Sequence, residues 1–156
     1  MILAGTGHRP NKLGGYDPTS RARLIDVATF AIKKLKPEII ISGMALGWDQ
    51  ALVYAALATN TTWHAYIPFT GQEGNWPSES QARYHSLLRT TKTIIVCSSG
   101  GYAVWKMQHR NKCMVDACDR LLALWDGSSG GTANCIQYAE SVGKPITNCY
   151  TTWSKS

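Results

Sequence analysis

The chain has 156 residues, of which 44% are hydrophobic and 17% charged, enough for one buried core. We expect a single domain over residues 1–150 and a short tail over residues 151–156. The formal net charge of +6 favours anionic partners, but the basic residues form no long tract, so charge does not separate nucleic acid from a small phosphorylated ligand. Without the basic and long apolar regions of a signal peptide or a membrane-length apolar stretch, we expect no secretion signal and no membrane association.

The five cysteines form no Cys-x-x-Cys pair, and an odd number cannot pair completely within one chain. A reduced, cytoplasmic setting is therefore expected, with no metal site and no cofactor. Cys97 and Cys118 lie in apolar runs, where cysteine acts as a small hydrophobic residue.

Hydrophobic periodicity predicts strands and helices that alternate along the whole chain. The predicted strands are Ile2–Ala4, Glu38–Ser42, Thr62–Ile67, Thr93–Cys97, Leu121–Trp125 and Pro145–Asn148. The predicted helices are Thr19–Leu35, Asp49–Ala58, Ser80–Leu88, Met107–Ala117 and Ala133–Val142. This alternation, without hairpin signals, is typical of a Rossmann-like, doubly wound α/β domain with a mainly parallel sheet and helices on both faces.

Three glycine-containing loops follow predicted strands: GTGHRP from Gly5, SGMALGWD from Ser42, and DGSSGGT from Asp126. The second and third lead directly into a helix, where unpaired N–H groups and the helix dipole favour phosphate. Loops of this kind meet at the carboxyl edge of a doubly wound sheet. Together they predict a site for a nucleotide-type ligand at that edge.

Single residues in the loops have two interpretations each. Arg9, beside His8, is either part of a solvated pair or a planar donor that holds a phosphate or carboxylate. Asp49 either stabilises the start of a helix, or accepts a ribose hydroxyl or polarises a water.

The tryptophans fall into two groups. Trp76, Trp48 and Trp105 lie near polar loops, where an indole ring is available to stack on a base. Trp63 and Trp125 lie within predicted strands and are expected in the core.

The segments GHRPNKLGGY, SGMALGWDQ, PFTGQEGNW, HRNKCMVDACDRLLALWDG and GGT occur in this order between Gly7 and Thr132. Their combination resembles the YpsA family of the SLOG superfamily, which also contains the DNA-processing protein DprA and the LOG phosphoribohydrolases. The resemblance implies a Rossmann-like fold that binds a nucleotide or a nucleotide-derived ligand, AMP-like or ADP-ribose-like, at the glycine-rich loops. It also implies self-association into a homo-oligomer.

LOG enzymes cleave the N-glycosidic bond of nucleoside monophosphates. Their signature pairs an arginine in RKxxM with a glutamate in PGGxGTxxE. By this resemblance Arg110 and Met114 match the first motif, with Asn111 in place of its lysine, and Gly131 and Thr132 match the second.

The glutamate position of the second motif falls on Cys135. A thiol does not stabilise an oxocarbenium-like centre or activate water as a carboxylate does. If the chain is an enzyme, Arg110 would hold the phosphate, and Glu73 or Asp49 would be the acid/base.

The favoured hypothesis is a protein that binds a nucleotide as a sensor or a sequestering protein. Two alternatives stay open: an N-glycosidic hydrolase of nucleoside 5′-monophosphates, and DprA-like binding of single-stranded DNA. The candidate ligand-binding residues are Gly5, Thr6, Gly7, His8, Arg9, Ser42, Gly43, Met44, Ala45, Gly47, Asp49, Trp76, Arg110, Asn111, Gly130, Gly131 and Thr132.

Overall fold

The computed structural model describes residues 1–156, and all five pairings between its six strands are parallel. The strands are β1 Ile2–Gly7, β2 Ile39–Ser42, β3 Thr62–Ile67, β4 Ile94–Val96, β5 Arg120–Leu124 and β6 Ile146–Asn148. The helices are α1 Pro18–Leu35, α2 Trp48–Ala58, α3 Ser78–Leu88, α4 Val104–Ala117, α5 Gly131–Ser141 and α6 Tyr150–Ser154, with a 3₁₀ turn at Pro10–Lys12. The Rossmann-like α/β fold predicted from the sequence is confirmed.

Helices cover both faces of the sheet, which explains why the central strands are apolar at successive positions. The larger core lies between the sheet and α1, α2, α3 and α6, and includes Trp48 and Trp63. The smaller core lies under α4 and α5, and includes Met114, Leu121 and Ile136.

The strand order β4-β3-β2-β1-β5-β6 contains one reversal of direction. The chain builds outward from β1 to β4 and then crosses to the other side of β1 to form β5. The connections that leave β1 and β5 therefore diverge, which opens a crevice at their carboxyl ends.

The first strand extends further than predicted. Gly5, Thr6 and Gly7, expected in a loop, pair with Leu122–Leu124 as the second half of β1. The two glycines allow α2 to pack closely on the strand. A Cβ atom on Gly5 would lie 2.1 Å from Leu52 Cδ1, and one on Gly7 would lie 2.5 Å from Trp48 Cδ1.

Most of the C-terminal segment, whose sequence carries no structural signal, lies in the short helix α6. Its Trp153 side chain is 8% exposed and belongs to the larger core. The guanidinium carbon of Arg23 on α1 lies 4.3 Å from the centre of the Trp153 ring. An aromatic anchor under a cation thus fixes the segment to α1.

No helix combines the length and the apolar character needed to cross a bilayer. All five cysteines are free thiols, of which Cys118, Cys135 and Cys149 are buried.

Candidate functional site

A cleft of about 310 Å³ opens at the carboxyl ends of β1, β2 and β5, at the reversal of the strand order. Twelve of the candidate ligand-binding residues line it: Gly5, Thr6, Gly7, His8, Arg9, Ala45, Asp49, Arg110, Asn111, Gly130, Gly131 and Thr132. Five lining residues are absent from that candidate set: Asn11, Lys12, Met107, Met114 and Ser129.

One stripe of α4 forms a wall of the cleft through Met107, Arg110, Asn111 and Met114, which helical spacing places on the same side. This spacing around Arg110 is the sequence signal that identifies the two methionines. Asn11 and Lys12 follow the GHRP segment in a polar turn and have no periodic signal.

Arg110 is 4% exposed, and its guanidinium donates hydrogen bonds to backbone carbonyls at the ends of β2 and β3. Its Nη1 donates to the carbonyl oxygens of Gly43, at 2.7 Å, and Tyr66, at 3.4 Å, while Nε donates to Asn111 Oδ1 at 3.0 Å. Nη2 makes no hydrogen bond within the protein. The guanidinium is therefore fixed in position, and the N–H groups of Nη2 remain available to a ligand.

Gly43 makes room for this guanidinium. A Cβ atom on Gly43 would lie 2.4 Å from Arg110 Nη1 and 2.7 Å from Cζ. Gly43 does not line the cleft, so its contribution to the site is the space that it leaves for Arg110.

The rest of the loop after β2 is stabilised internally. The buried Ser42 hydroxyl donates to the carbonyl oxygen of Asp49 at 2.7 Å and accepts from the Met44 amide at 3.1 Å. Gly47 has φ +94°, and a Cβ atom there would lie 2.6 Å from the carbonyl oxygen of His8. Ser42, Met44 and Gly47 lie outside the cleft, so only Ala45 and Asp49 of this loop reach it.

Asp49 is the single carboxylate that lines the cleft, and it is 6% exposed. Burial raises its pKa to about 6, against the opposing effects of Arg110, the Ala45 amide and Arg9. The Ala45 amide donates to Oδ2 at 3.3 Å. Burial in turn lowers the pKa of Arg110, and Asp49 partly offsets that effect. The cleft therefore holds a carboxyl group that changes its protonation near neutral pH.

Positive charge exceeds negative charge around this carboxyl group. Arg9, Lys12 and Arg110 all line the cleft, and none of them forms a salt bridge within the chain. The Lys12 ammonium donates to Ser128 Oγ at 2.9 Å, which places it beside the segment that leads into α5. The cleft is suited to an anion.

The N-terminal end of α5 is open toward the cleft. Gly130 has φ +137° and provides no side-chain cap, and the hydrogen bond from the Asn134 amide to the Gly130 carbonyl is 3.0 Å. The amides of Gly131 and Thr132, in the first turn, have no partner within the helix. No atom lies within 4 Å of a Cβ built on Gly130 or Gly131, so their backbone is accessible.

His8 connects the loop after β1 to the loop after β5. It is 7% exposed, and its Nε2 lies 2.8 Å from Asp126 Oδ1 and 3.0 Å from the Asp126 amide. Hydrogen bonds from the Ser128 hydroxyl and amide, together with His8, lower the pKa of Asp126. His8 therefore joins the end of β1 to the loop after β5.

The structure places Glu73 and Trp76 outside the cleft. Glu73 is 8% exposed in the loop after β3, with Oε2 3.4 Å from His85 Nε2. Trp76 packs edge-to-face on Tyr84, with ring centres 5.4 Å apart. Trp48 is fully buried, and its Nε1 donates to the Leu122 carbonyl at 3.2 Å.

The YpsA family model, described as the YspA SLOG family, matches residues 3–151, which include every strand residue except Ile2 and every residue that lines the cleft. The chain belongs to the YpsA family. A curated relative of this YpsA-family chain is the SPbeta prophage-derived protein YoqJ of Bacillus subtilis (strain 168). The two are 30% identical over 137 residues, covering 77% of this chain and 80% of YoqJ.

Solved structures of other proteins share the fold. DprA from Streptococcus pneumoniae superimposes with a TM-score of 0.69 at 16% identity, over 99% of this chain, and the chain spans 56% of the DprA chain. The molybdenum cofactor carrier protein from Chlamydomonas reinhardtii superimposes with a TM-score of 0.58 at 14% identity, over 99% of this chain and 82% of the carrier. At these identities the likeness shows the fold alone.

In this YpsA-family protein, Cys135 lies on the buried face of α5, in the smaller core, and is 1% exposed. Burial raises the pKa of its thiol to about 11, although a hydrogen bond with Thr6 opposes that rise. Cys135 is not among the residues that line the cleft. A buried, protonated thiol therefore stands where the LOG motif has a glutamate.

Proposed function

We propose that the protein binds a nucleoside phosphate in the cleft, with the phosphate at the N-terminal end of α5. The proposal rests on backbone amides and cationic side chains that line the same cleft. The open amides of Gly131 and Thr132 share one cleft with Arg9, Lys12 and Arg110, none of which forms a salt bridge. Backbone amides and unpaired cations together form the usual protein environment of a bound phosphate.

The size and lining of the cleft support a ligand of nucleotide dimensions. Its volume of about 310 Å³ is at the lower end of the range for small-molecule pockets. Met107 and Met114 on α4 provide flexible apolar contacts for a ring or a sugar face. AMP and ADP-ribose both belong to this ligand class.

Retention of the intact ligand, in a sensor or a sequestering protein, follows from the chemistry at Cys135. Hydrolysis by the LOG route needs a carboxylate at this position. The buried thiol with a pKa of about 11 does not activate water at neutral pH.

One observation favours a second candidate, hydrolysis of the N-glycosidic bond of a nucleoside 5′-monophosphate. Asp49 lines the cleft next to Arg110, and its pKa of about 6 makes both protonation states available near neutral pH. In such a reaction water adds to C1′ of the ribose as the bond to the base breaks. Asp49 would take the proton of the water or protonate the departing base. Glu73 lies outside the cleft and does not share this role.

Calorimetric titration with AMP and with ADP-ribose tests the binding proposal. The variant Lys12→Met removes a cleft cation, and Lys92→Met, which removes an exposed lysine at the opposite edge of the sheet, is the matched control. We expect one ligand per chain and about tenfold or weaker binding for Lys12→Met, because a charge-assisted hydrogen bond is worth about 1.5–3 kcal/mol. Lys92→Met should bind like the unmodified protein. Absence of binding, or equal loss in both variants, would contradict the proposal.

Mass spectrometry of the same mixtures separates the two candidates. Recovery of intact AMP identifies a binding protein. Release of adenine that stops in Asp49→Asn identifies a hydrolase. A single-stranded oligonucleotide serves as a third ligand, and binding of this ligand alone, with steep loss at higher salt, would replace both candidates by DNA binding.

A further inference from the structure

The edge strand β4 is uncovered on both faces. Its three residues are apolar, and Ile94, Ile95 and Val96 are 45%, 40% and 46% exposed. Ile94 and Val96 share the face of their partners on β3, Ala65 and Ile67, whereas Ile95 lies on the other face. Strands of a parallel sheet are ordinarily buried on both faces, so β4 lacks the cover that the central strands have.

The exposed apolar surface continues into the segment after β4. Tyr102, Val104 and Trp105 are 72%, 60% and 60% exposed, and the Tyr102 ring contacts Phe69, just beyond the end of β3, at 6.1 Å between ring centres. Together with the three residues of β4 they form what we call the β4 surface. It contains six of the eleven large hydrophobic side chains that the protein exposes, which marks a concentrated patch.

The backbone of β4 is also open along its outer side. The Ala65 amide donates to the Thr93 carbonyl at 3.0 Å, and the Cys97 amide donates to the Ile67 carbonyl at 2.9 Å. In a parallel ladder the intervening residues point the other way, so the N–H and C=O groups of Ile94 and Val96 face away from β3. These groups are available to a further strand.

We propose that the β4 surface binds a second copy of this chain. The β4 strands of the two copies pair antiparallel and so extend the sheet. A twofold axis relates the copies, and this is the commonest symmetry of homodimers. Each copy then supplies the backbone partners and the apolar cover that the other lacks.

Charge supports a second copy over a nucleic acid as the occupant. The chain carries a net charge of +6, yet no charged side chain occurs between Thr93 and Trp105. Two copies therefore meet here without bringing like charges together. A nucleic acid needs cations to neutralise its phosphates. The nearest cation, the Lys106 ammonium 5.6 Å from the centre of the Trp105 ring, donates instead to the carbonyl oxygens of Ser99 and Gly101, and Lys106 is 8% exposed.

The available area also suits a dimer. At 72% and 60% exposure, Tyr102 and Trp105 together present on the order of 200 Å². The strand residues, Val104 and the edge backbone add to this area and bring the surface toward the roughly 800 Å² per partner of a stable interface. The proposal does not depend on nucleotide binding, because no residue of the β4 surface lines the cleft.

Sedimentation equilibrium over a concentration series tests the proposal. Ile95→Lys places a charge in the edge strand, and Trp105→Lys does the same on α4, away from the sheet. Phe30→Lys is the matched control, because Phe30 is 60% exposed on α1, on another part of the surface. Thermal unfolding of each variant establishes that it is folded.

We expect the unmodified protein to be dimeric. Ile95→Lys and Trp105→Lys should raise the dimer dissociation constant at least tenfold, and Phe30→Lys should leave it unchanged. A monomer at every concentration would overturn the proposal. A dimer that folded Ile95→Lys and Trp105→Lys leave intact, or that Phe30→Lys weakens equally, would also overturn it.

Discussion

Replacing Asp49 by Asn removes the titrating group of the cleft while it preserves the size of the side chain. Asn also retains an oxygen that can accept from the Ala45 amide, as Asp49 Oδ2 does at 3.3 Å. We expect the change to alter how folding stability depends on pH, because burial raises the pKa of Asp49 from 3.8 to about 6 in the folded protein.

The magnitude follows from linkage between protonation and folding. The folded protein binds the proton of Asp49 more tightly than the unfolded chain, so this contribution to stability is complete below pH 3.8 and is lost as the pH rises through about 6. A difference of about two pKa units corresponds to about 3 kcal/mol. Between pH about 4 and pH about 7, the unmodified protein should therefore lose about 3 kcal/mol relative to Asp49→Asn.

Urea denaturation of both proteins at closely spaced pH values measures this difference directly. All other titrating groups are shared, so the difference between the two free energies of unfolding isolates position 49. A difference that stays constant over this range would refute the assignment of a raised pKa to Asp49. A difference that changes in the opposite direction would show that Arg110 outweighs burial.

Affinity for ADP-ribose should increase as the pH falls through about 6, because the ionised Asp49 carboxylate repels a pyrophosphate whose own charge stays constant. In Asp49→Asn the affinity should be independent of pH. Calorimetry at several pH values measures both profiles, and equal profiles would contradict this explanation. Gly43→Ala should lower the free energy of unfolding by about 1–3 kcal/mol, because the added Cβ meets the Arg110 guanidinium. Gly101→Ala, which adds a Cβ with no atom within 4 Å, is the control, and urea denaturation in which the two variants are equal would refute this explanation. Trp153→Ala should lower the free energy of unfolding by about 3 kcal/mol or more, because it empties a space in the larger core. A loss below about 1 kcal/mol in the same assay would show that α6 is not part of the folded unit.

The alternation of strands and helices is predictable from the sequence, because burial on both faces of a parallel sheet leaves apolar runs that periodicity detects. The end of β1 is not predictable in this way. Glycines such as Gly5 and Gly7 are typical of turns, yet both lie in a strand. Because they have no side chain, Leu52 and Trp48 of α2 can pack directly against the strand. That requirement comes from the packing of α2 and has no local signal.

Some residues of the cleft have a local signal in the sequence, whereas others take their position from the folded structure. Arg110 is predictable from a motif, and its neighbours on α4 from helical spacing. Lys12 enters the cleft through the geometry of a 3₁₀ turn, which composition does not reveal. Trp76 is adjacent to polar loops in the sequence, but its ring packs on Tyr84. Side chains of this size take their place from tertiary packing, so proximity in sequence to a polar loop does not predict contact with a ligand.

An NMR titration of ¹⁵N-labelled protein with AMP locates the bound phosphate, which we propose lies at the N-terminal end of α5. We expect the amide signals of Gly130, Gly131 and Thr132 to shift most and to saturate together with one ligand per chain. Saturating shifts confined to residues outside the cleft, or no saturable shift at all, would contradict it.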